Sequence, residues 1–211
     1  MKDRYISLLK SVKREGIDKL IENIEKSDFF TAPASTIYHG NHAGGLVEHS
    51  LNVYDCLNDI VNKFYPGKYS QDSIILVALL HDLSKKDYYE KTVRNRKWYK
   101  PDGTKHDEMG NFEWVAVSSY GVKEPETRYA AGGHCFNSLM LIRNYIELTD
   151  EETIAIFNHH GGLDMGETQR KDSDQVFNRF PLATALHLAD MEATYFLENK
   201  VNESTYKRTA A

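Results

Sequence analysis

Cysteine is almost missing from this chain. Two occur in 211 residues, Cys56 and Cys135, far apart and outside any Cys-x-x-Cys pair. That excludes a disulfide framework and points to a reduced, cytoplasmic setting. Long apolar runs are missing as well. No stretch approaches the roughly 20 apolar residues of a membrane span, and the opening MKDRYISLLKSVKREG lacks the apolar centre of a signal peptide. An excess of positive charge is also lacking. The formal net charge of −5 argues against general adhesion to duplex nucleic acid, although a local basic site is compatible with it.

What is present is the composition of a globular domain, 41% hydrophobic and 27% charged. The length suits one substantial core, and no linker divides it, so one domain over 1–211 is expected. Helical apolar spacing dominates. Residues 3 to 26 read as two short helices broken at Gly16, and residues 28 to 45 as a Gly/Pro/Ser/Asn loop. A helix over about 46–64 stops before Pro66-Gly67, and the apolar run Ile74 to Leu80 lies in a helix over 71–82, buried on all sides. Helices follow at about 132–147 and 150–160, the second opened by a Thr149/Glu152 capping box. Residues 161–180 read as a polar loop. A last helix starts at Pro181, and 200–211 form a frayed tail. Between the helices, residues 91–122 carry aromatics and turn dipeptides, which predicts an inserted β-hairpin or small meander.

Into this pattern falls an array of histidines and aspartates: His49, His81-Asp82, His134, His159-His160 and Asp190. Imidazole and carboxylate together suit divalent transition ions. Bound ions of this kind make water a nucleophile near neutral pH, so the array reads as the core of a metal-dependent hydrolase. Asp82 is the natural shared ligand, with His49, His81 and Asp190 around one ion and His134 and His159 around a second, where His160 is a further ligand or an outer-shell donor. Lys85 lies one turn beyond Asp82, placed to meet a phosphate oxygen. His187 reads either as a donor to Asp190 or as a core histidine bonded to backbone, and His39 and His42 either as lining the pocket mouth or as loop-surface residues.

The phrases around these residues resemble the HD-domain superfamily of metal-dependent phosphohydrolases. Its H…HD…D pattern corresponds here to His49, His81-Asp82 and Asp190. GGLVEHSLNV (44–53) and ALLHDLSK (78–85) are similar to the helices carrying those residues in the 3′-5′ exoribonuclease branch, and LHLADMEAT (186–194) is similar to the last-aspartate helix. His134, His159 and His160 stand where dinuclear members, the HD-GYP phosphodiesterases included, carry further histidines, but the GYP signature is absent after His160. The phrase Gly132-Gly133-His134-Cys135 departs from the GHG of the small single-domain members found in Firmicutes and their phages. The resemblance spans about 28–198. It implies an all-α helical bundle, two divalent ions with Mn or Fe ahead of Zn, Ni or Mg, and catalytic roles for Asp82 and Lys85. The substrate it implies is a phosphoester of a nucleotide, cyclic nucleotide or short oligonucleotide, the alternatives being a nucleoside mono- or triphosphatase or a nucleotide-sequestering protein. A second dipeptide, His106-Asp107, lies in polar turn sequence and is assigned no role.

One charge cluster stands out. From Lys85 to Lys105 there are eight basic residues against three acidic ones, interleaved with Tyr88, Tyr89, Trp98 and Tyr99. Cations for phosphate and rings for stacking suit a nucleotide or a short single strand. Lys85, Arg94, Arg96, Lys97 and Trp98 are therefore the candidate substrate-binding residues.

Overall fold

The computed structural model describes residues 1–124, 133–161 and 175–198. Two short helices open the chain, α1 (Lys2–Ser11) and α2 (Ile17–Glu25), and the break falls at Gly16, whose φ is +86°. A β-carbon there would meet the carbonyl oxygen of Tyr145 at 1.9 Å, so the turn needs glycine both for its backbone angle and for the close approach. The long helix α3 (Gly45–Phe64) follows, then α4 (Gln71–Leu80), capped by the Ser70 hydroxyl, which accepts from the Ser73 amide. All seven residues from Ile74 to Leu80 are buried, as the uninterrupted apolar run predicts.

The helix expected over 71–82 ends earlier. His81 is its C-cap, and Asp82 already has φ −106° and ψ 19° before a short 3-10 turn at Leu83–Lys85. The β insertion expected over 91–122 is present as a three-stranded antiparallel sheet, so the domain is mostly helical and not strictly all-α. Its strands are β1 (Tyr89–Tyr99), β2 (Lys105–Asp107) and β3 (Gly110–Val122), in the order β1-β3-β2. Register runs from Tyr89 opposite Val122 to Tyr99 opposite Phe112. The sheet is anchored at its base: the Asp87 amide donates to Asp28 Oδ1 at 2.6 Å, and the Tyr89 hydroxyl donates to the Ala34 carbonyl at 3.4 Å.

Helices resume as α5 (His134–Arg143), α6 (Asp150–Phe157) and α7 (Pro181–Glu192), the last continuing as a π-helical turn over Ala193–Glu198. The Thr149/Glu152 capping box is formed. The helix expected over 150–160 stops at Phe157, and Asn158 to Gly161 form a turn that carries His159 and His160 off its end. Residues 175–179 are helical, whereas most of the polar loop expected over 161–180, and the tail expected over 200–211, lie outside the described residues. Helix α3 packs on α4 and α7, and α6 closes the bundle against α4 and α7. One apolar core runs through all of them, with Tyr5, Leu9, Leu20, Phe29, Leu46, Leu57, Leu76, Leu79 and Leu83 fully buried. The Tyr5 hydroxyl donates to the Leu79 carbonyl at 2.8 Å, tying α1 to the last turn of α4. Among the described residues no helix is long and apolar enough to cross a membrane.

A second tie crosses the bundle. Arg14, between α1 and α2, donates to both Glu152 carboxylate oxygens at 3.1 and 2.9 Å and to the Glu147 carbonyl at 2.7 Å. Glu152 is 1% exposed at its side chain. Burial raises its pKa, but Arg14 and the Thr149 amide outweigh that and leave it below 4.5. A carboxylate whose folded-state pKa is depressed stabilises the fold above its unfolded value, and that stability is lost as pH falls through the folded value. Replacing Arg14 with alanine strands the buried charge and should cost about 3 kcal/mol. Urea unfolding at pH 7 checks this, and the gap between the variant and the parent should narrow below pH 4.5.

Candidate metal centre

The ends of helices, more than their faces, build the site. His81 and His159 both stand just past a helix C-terminus, where carbonyl groups lack intrahelical donors. Each turns its Nδ1 back onto one of them: His81 onto Ala78 O at 2.8 Å, His159 onto Ile156 O at 2.7 Å. A carbonyl only accepts, so Nδ1 carries the proton in both rings. In the neutral imidazole Nε2 is then left as a lone pair facing inward. His49, on α3, is oriented in the same way. Its Nδ1 lies 3.1 Å from both oxygens of Glu198, which also accepts from Asn52 Nδ2 at 3.0 Å.

These nitrogens converge on Asp82, 2% exposed. Its Oδ2 lies 3.6 Å from His49 Nε2, 3.4 Å from His81 Nε2 and 2.7 Å from Lys85 Nζ. Its Oδ1 lies 3.7 Å from both His134 Nε2 and His159 Nε2 and has no hydrogen-bond partner. Asp190, on α7, sets an oxygen 3.2 Å from His49 Nε2 and groups also with His159 and His160. His134 opens α5 and faces His160 Nε2 at 3.1 Å. All seven sequence-predicted ligands therefore meet in one cluster, divided between the two oxygens of Asp82.

The donor chemistry fits a cation. His49 Nε2 and His81 Nε2 face each other at 3.3 Å, an arrangement that only a shared proton or an ion makes favourable. Ligands held at ~2.0–2.2 Å from one metal sit roughly 3.0–3.5 Å apart along the edge of the coordination shell, close to the spacings seen. The titration of the cluster reports the same demand. Burial opposes charge on His49, yet Asp190 and Glu198 push its pKa up to about 10, so in the absence of metal it holds a proton among the carboxylates. Asp82 and Asp190 are held far below the usual carboxylate range despite burial, Asp82 chiefly by Lys85 and the neighbouring histidines, Asp190 by His49. His159, enclosed beside His81, is driven well below its ordinary value by burial and is neutral, as a ligand must be.

Several neighbours differ from the sequence reading. His39 takes the pocket-side alternative over the loop surface: its ring lies tilted 4.7 Å from that of His49, and its Nε2 is buried without a partner. Burial and the charges of His49 and Lys85 push its pKa down to about 4. Lys86, next to Lys85, is 11% exposed at its side chain and pairs with Asp87. His42 is exposed and pairs with Glu48, as a surface residue does. His187 donates Nδ1 to the His159 carbonyl at 2.6 Å, the backbone-bonded alternative. His106 bonds Asn111 on the sheet, away from the cluster.

Glu198 and Cys135 were missed. Glu198 lies two turns after Asp190, and only the packing of the π-helical turn on α3 shows that the two acids take opposite ends of one imidazole. Cys135 had a signal, its place directly after a candidate ligand histidine. Its Sγ lies 3.5 Å from His134 Nε2 and 3.9 Å from His159 Nε2.

The candidate substrate residues are dispersed. Lys85 is in the cluster, 12% exposed at its side chain. Arg94, Arg96 and Trp98 alternate onto one face of β1, while Lys97 falls on the other, paired with Asp107 and lying over the Phe112 and Trp114 rings. At ~3.4 Å per residue, Arg94 stands roughly 17 Å and Trp98 roughly 30 Å along the strand from Tyr89 at the base.

Comparison with known proteins gives one informative match. The dihydroneopterin 2′,3′-cyclic phosphate phosphodiesterase of Methanocaldococcus jannaschii is 29% identical over 133 residues, which is 55% of this chain and 50% of that protein. The chain thus spans about half the length of the curated relative it matches. No family model matches the chain, and no solved structure does.

Glu198→Gln should weaken metal binding 10- to 100-fold, because the partner that fixes a ligand histidine contributes on that scale. Competition against a chromophoric chelator measures it. Metal must also displace the His49 proton, so binding near pH 7 should release about one proton and weaken as pH falls. Calorimetry in two buffers of different ionisation enthalpy counts that proton.

Proposed function

We propose that this chain is a metal-dependent phosphodiesterase of the HD-domain type, acting on small cyclic phosphate esters. One observation carries the reading: four neutral-capable imidazoles and a second carboxylate converge on the buried Asp82, one of whose oxygens has no partner. The named activity of the archaeal relative supports phosphodiester hydrolysis, and a cyclic phosphate in particular. The sequence phrases that resemble HD-domain proteins lie on the same residues.

His49, His81, Asp82 and Asp190 would hold one divalent ion, and His134 and His159 a second, with His160 a further ligand or an outer-shell donor, Asp82 shared between them and Mn or Fe the favoured metals. Ions bound there would lower the pKa of water and neutralise charge on the phosphoryl oxygens. The chain's own contribution begins with Lys85. Burial opposes its charge, but Asp82 raises its pKa and keeps the ammonium protonated. Held 2.7 Å from Asp82, it is placed to bind a non-bridging oxygen as negative charge develops. Asp82 and Lys85 are thus the catalytic pair, one fixing the ions and one receiving the phosphate. Glu198 keeps the Nδ1 proton on His49, and the carbonyls of Ala78 and Ile156 do the same for His81 and His159.

A second reading rests on the sheet. Arg94, Arg96 and Trp98 share one face, with Trp98 65% exposed, a surface suited to a short single-stranded oligonucleotide. Their distance along the strand gives them a role with an extended ligand rather than with a small ester, and Lys97, already paired, contributes least.

The test is a panel of substrates offered to protein loaded with Mn²⁺ or Fe²⁺. Nucleoside and pterin 2′,3′-cyclic phosphates should open to monoesters, ahead of nucleoside triphosphates. Turnover of triphosphates alone would overturn the reading. Lys85→Met should lower kcat about 100-fold, the scale of losing one charge-stabilising donor, with metal content unchanged by elemental analysis. Arg94→Gln/Arg96→Gln should leave cyclic-ester hydrolysis intact and weaken oligonucleotide binding, most at low salt where exposed charges are least screened. Equal oligonucleotide affinity in variant and parent would remove the sheet from the binding surface.

A further inference from the structure

We propose that Cys135 is a thiolate ligand of the ion held by His134, His159 and Asp82, which makes this half of the centre selective for thiophilic metals. The inference rests on the reading of the cluster as a metal centre and goes beyond it, since that reading uses only imidazoles and carboxylates.

The two cysteines of the chain sit in different surroundings. Cys56 is buried in the apolar core on α3, where a thiol behaves as a small hydrophobe. Cys135 is the second residue of α5, half-buried, with Sγ directed at two imidazole nitrogens. His134, Cys135 and His159 form a compact donor group. A second observation points to an ion at the same place. Asp82 is 98% buried, and its unpartnered Oδ1 is the oxygen that faces His134 and His159.

The distances suit one shell. With metal–sulfur near ~2.3 Å and metal–nitrogen near ~2.0–2.1 Å, a tetrahedral site has a sulfur-to-nitrogen edge of roughly 3.6 Å and a nitrogen-to-oxygen edge of roughly 3.4 Å. The Sγ-to-Nε2 spacings are 3.5 and 3.9 Å, and the Nε2-to-Oδ1 spacings are both 3.7 Å. These four edges need only a modest adjustment around an ion, and the donor atoms of His134, Cys135 and His159 already lie within 4.8 Å of one another. Binding forms a metal–sulfur bond, breaks the S–H bond and releases the proton to solvent, with no change of oxidation state.

The halves of the centre then differ in softness. His49, His81, Asp190 and the Oδ2 of Asp82 offer nitrogen and oxygen. The other half adds sulfur, which favours zinc, cobalt or ferrous iron over manganese or magnesium. The centre is built to hold two unlike ions.

Cobalt substitution tests this without reference to activity. Apo-protein titrated with Co²⁺ should develop the intense near-ultraviolet thiolate-to-metal charge-transfer band, alongside weaker visible bands. Cys135→Ser, which keeps Cys56, should lose the charge-transfer band and keep the visible bands. Under competition between equal Zn²⁺ and Mn²⁺, its second-equivalent preference for zinc should fall at least tenfold. Visible bands without charge transfer in the parent protein overturn the thiolate and leave the metal centre standing. The same holds if the charge-transfer band persists in Cys135→Ser. Failure of the parent to bind cobalt at all overturns both readings. If Cys135→Ser does not fold, Cys56→Ala decides: retention of the charge-transfer band there assigns it to Cys135, and its loss overturns the proposal.

Discussion

A carboxylate buried to 2% exposure is the constraint around which this molecule is arranged. An isolated ionised carboxylate cannot be taken out of water without compensation. Asp82 has one oxygen satisfied by Lys85 and the other facing only imidazole nitrogens. A bound cation would supply the compensation, and the fold brings its candidate ligands from four directions: α3 brings His49, the end of α4 brings His81, α5 brings His134, and the turn after α6 brings His159. Helix α7 adds Asp190. No two of the five lie on the same helix, so the bundle must be assembled before the charge is matched.

The imidazoles do two jobs with one ring. At the C-termini of α4 and α6, carbonyls without intrahelical donors need partners, and His81 and His159 supply Nδ1–H to them. That capping bond selects the tautomer, and the tautomer presents Nε2 to the cluster. Structural satisfaction and ligand readiness thus follow from the same proton. His49 keeps its Nδ1 proton through a carboxylate in place of a carbonyl, and Asp190 and Glu198 together push its pKa up to about 10. Lys85 completes the balance as a fixed cation whose charge is retained because Asp82 is beside it.

The sheet stands apart from this assembly. It is tied at its base through Asp28, Asp87 and Tyr89, and most of β1 beyond that base is exposed. Strand alternation divides its basic residues between two faces, so a run of charge that looks continuous in sequence is not one surface in space. Lys97 shows the consequence: it spends its charge on Asp107 and on the Phe112 and Trp114 rings.

Much of the protein was readable before any coordinates. Apolar spacing located α3 and α4, the Thr149/Glu152 pair marked the start of α6, and turn dipeptides marked the sheet, because these signals are local and act over one to four residues. The seven histidine and aspartate residues of the cluster were legible because their chemistry is uncommon in such density. Tertiary structure alone decided the rest. Periodicity states which face a residue shares along its own element. It does not state which helix ends meet, so the division of ligands between the two oxygens of Asp82 was not in the spacing. The same limit hid Glu198, whose role exists only where the end of α7 crosses α3, and His39, whose loop folds back onto His49. Cys135 follows His134 directly in the sequence, but that its Sγ stands within 4 Å of two imidazole nitrogens is a property of packing.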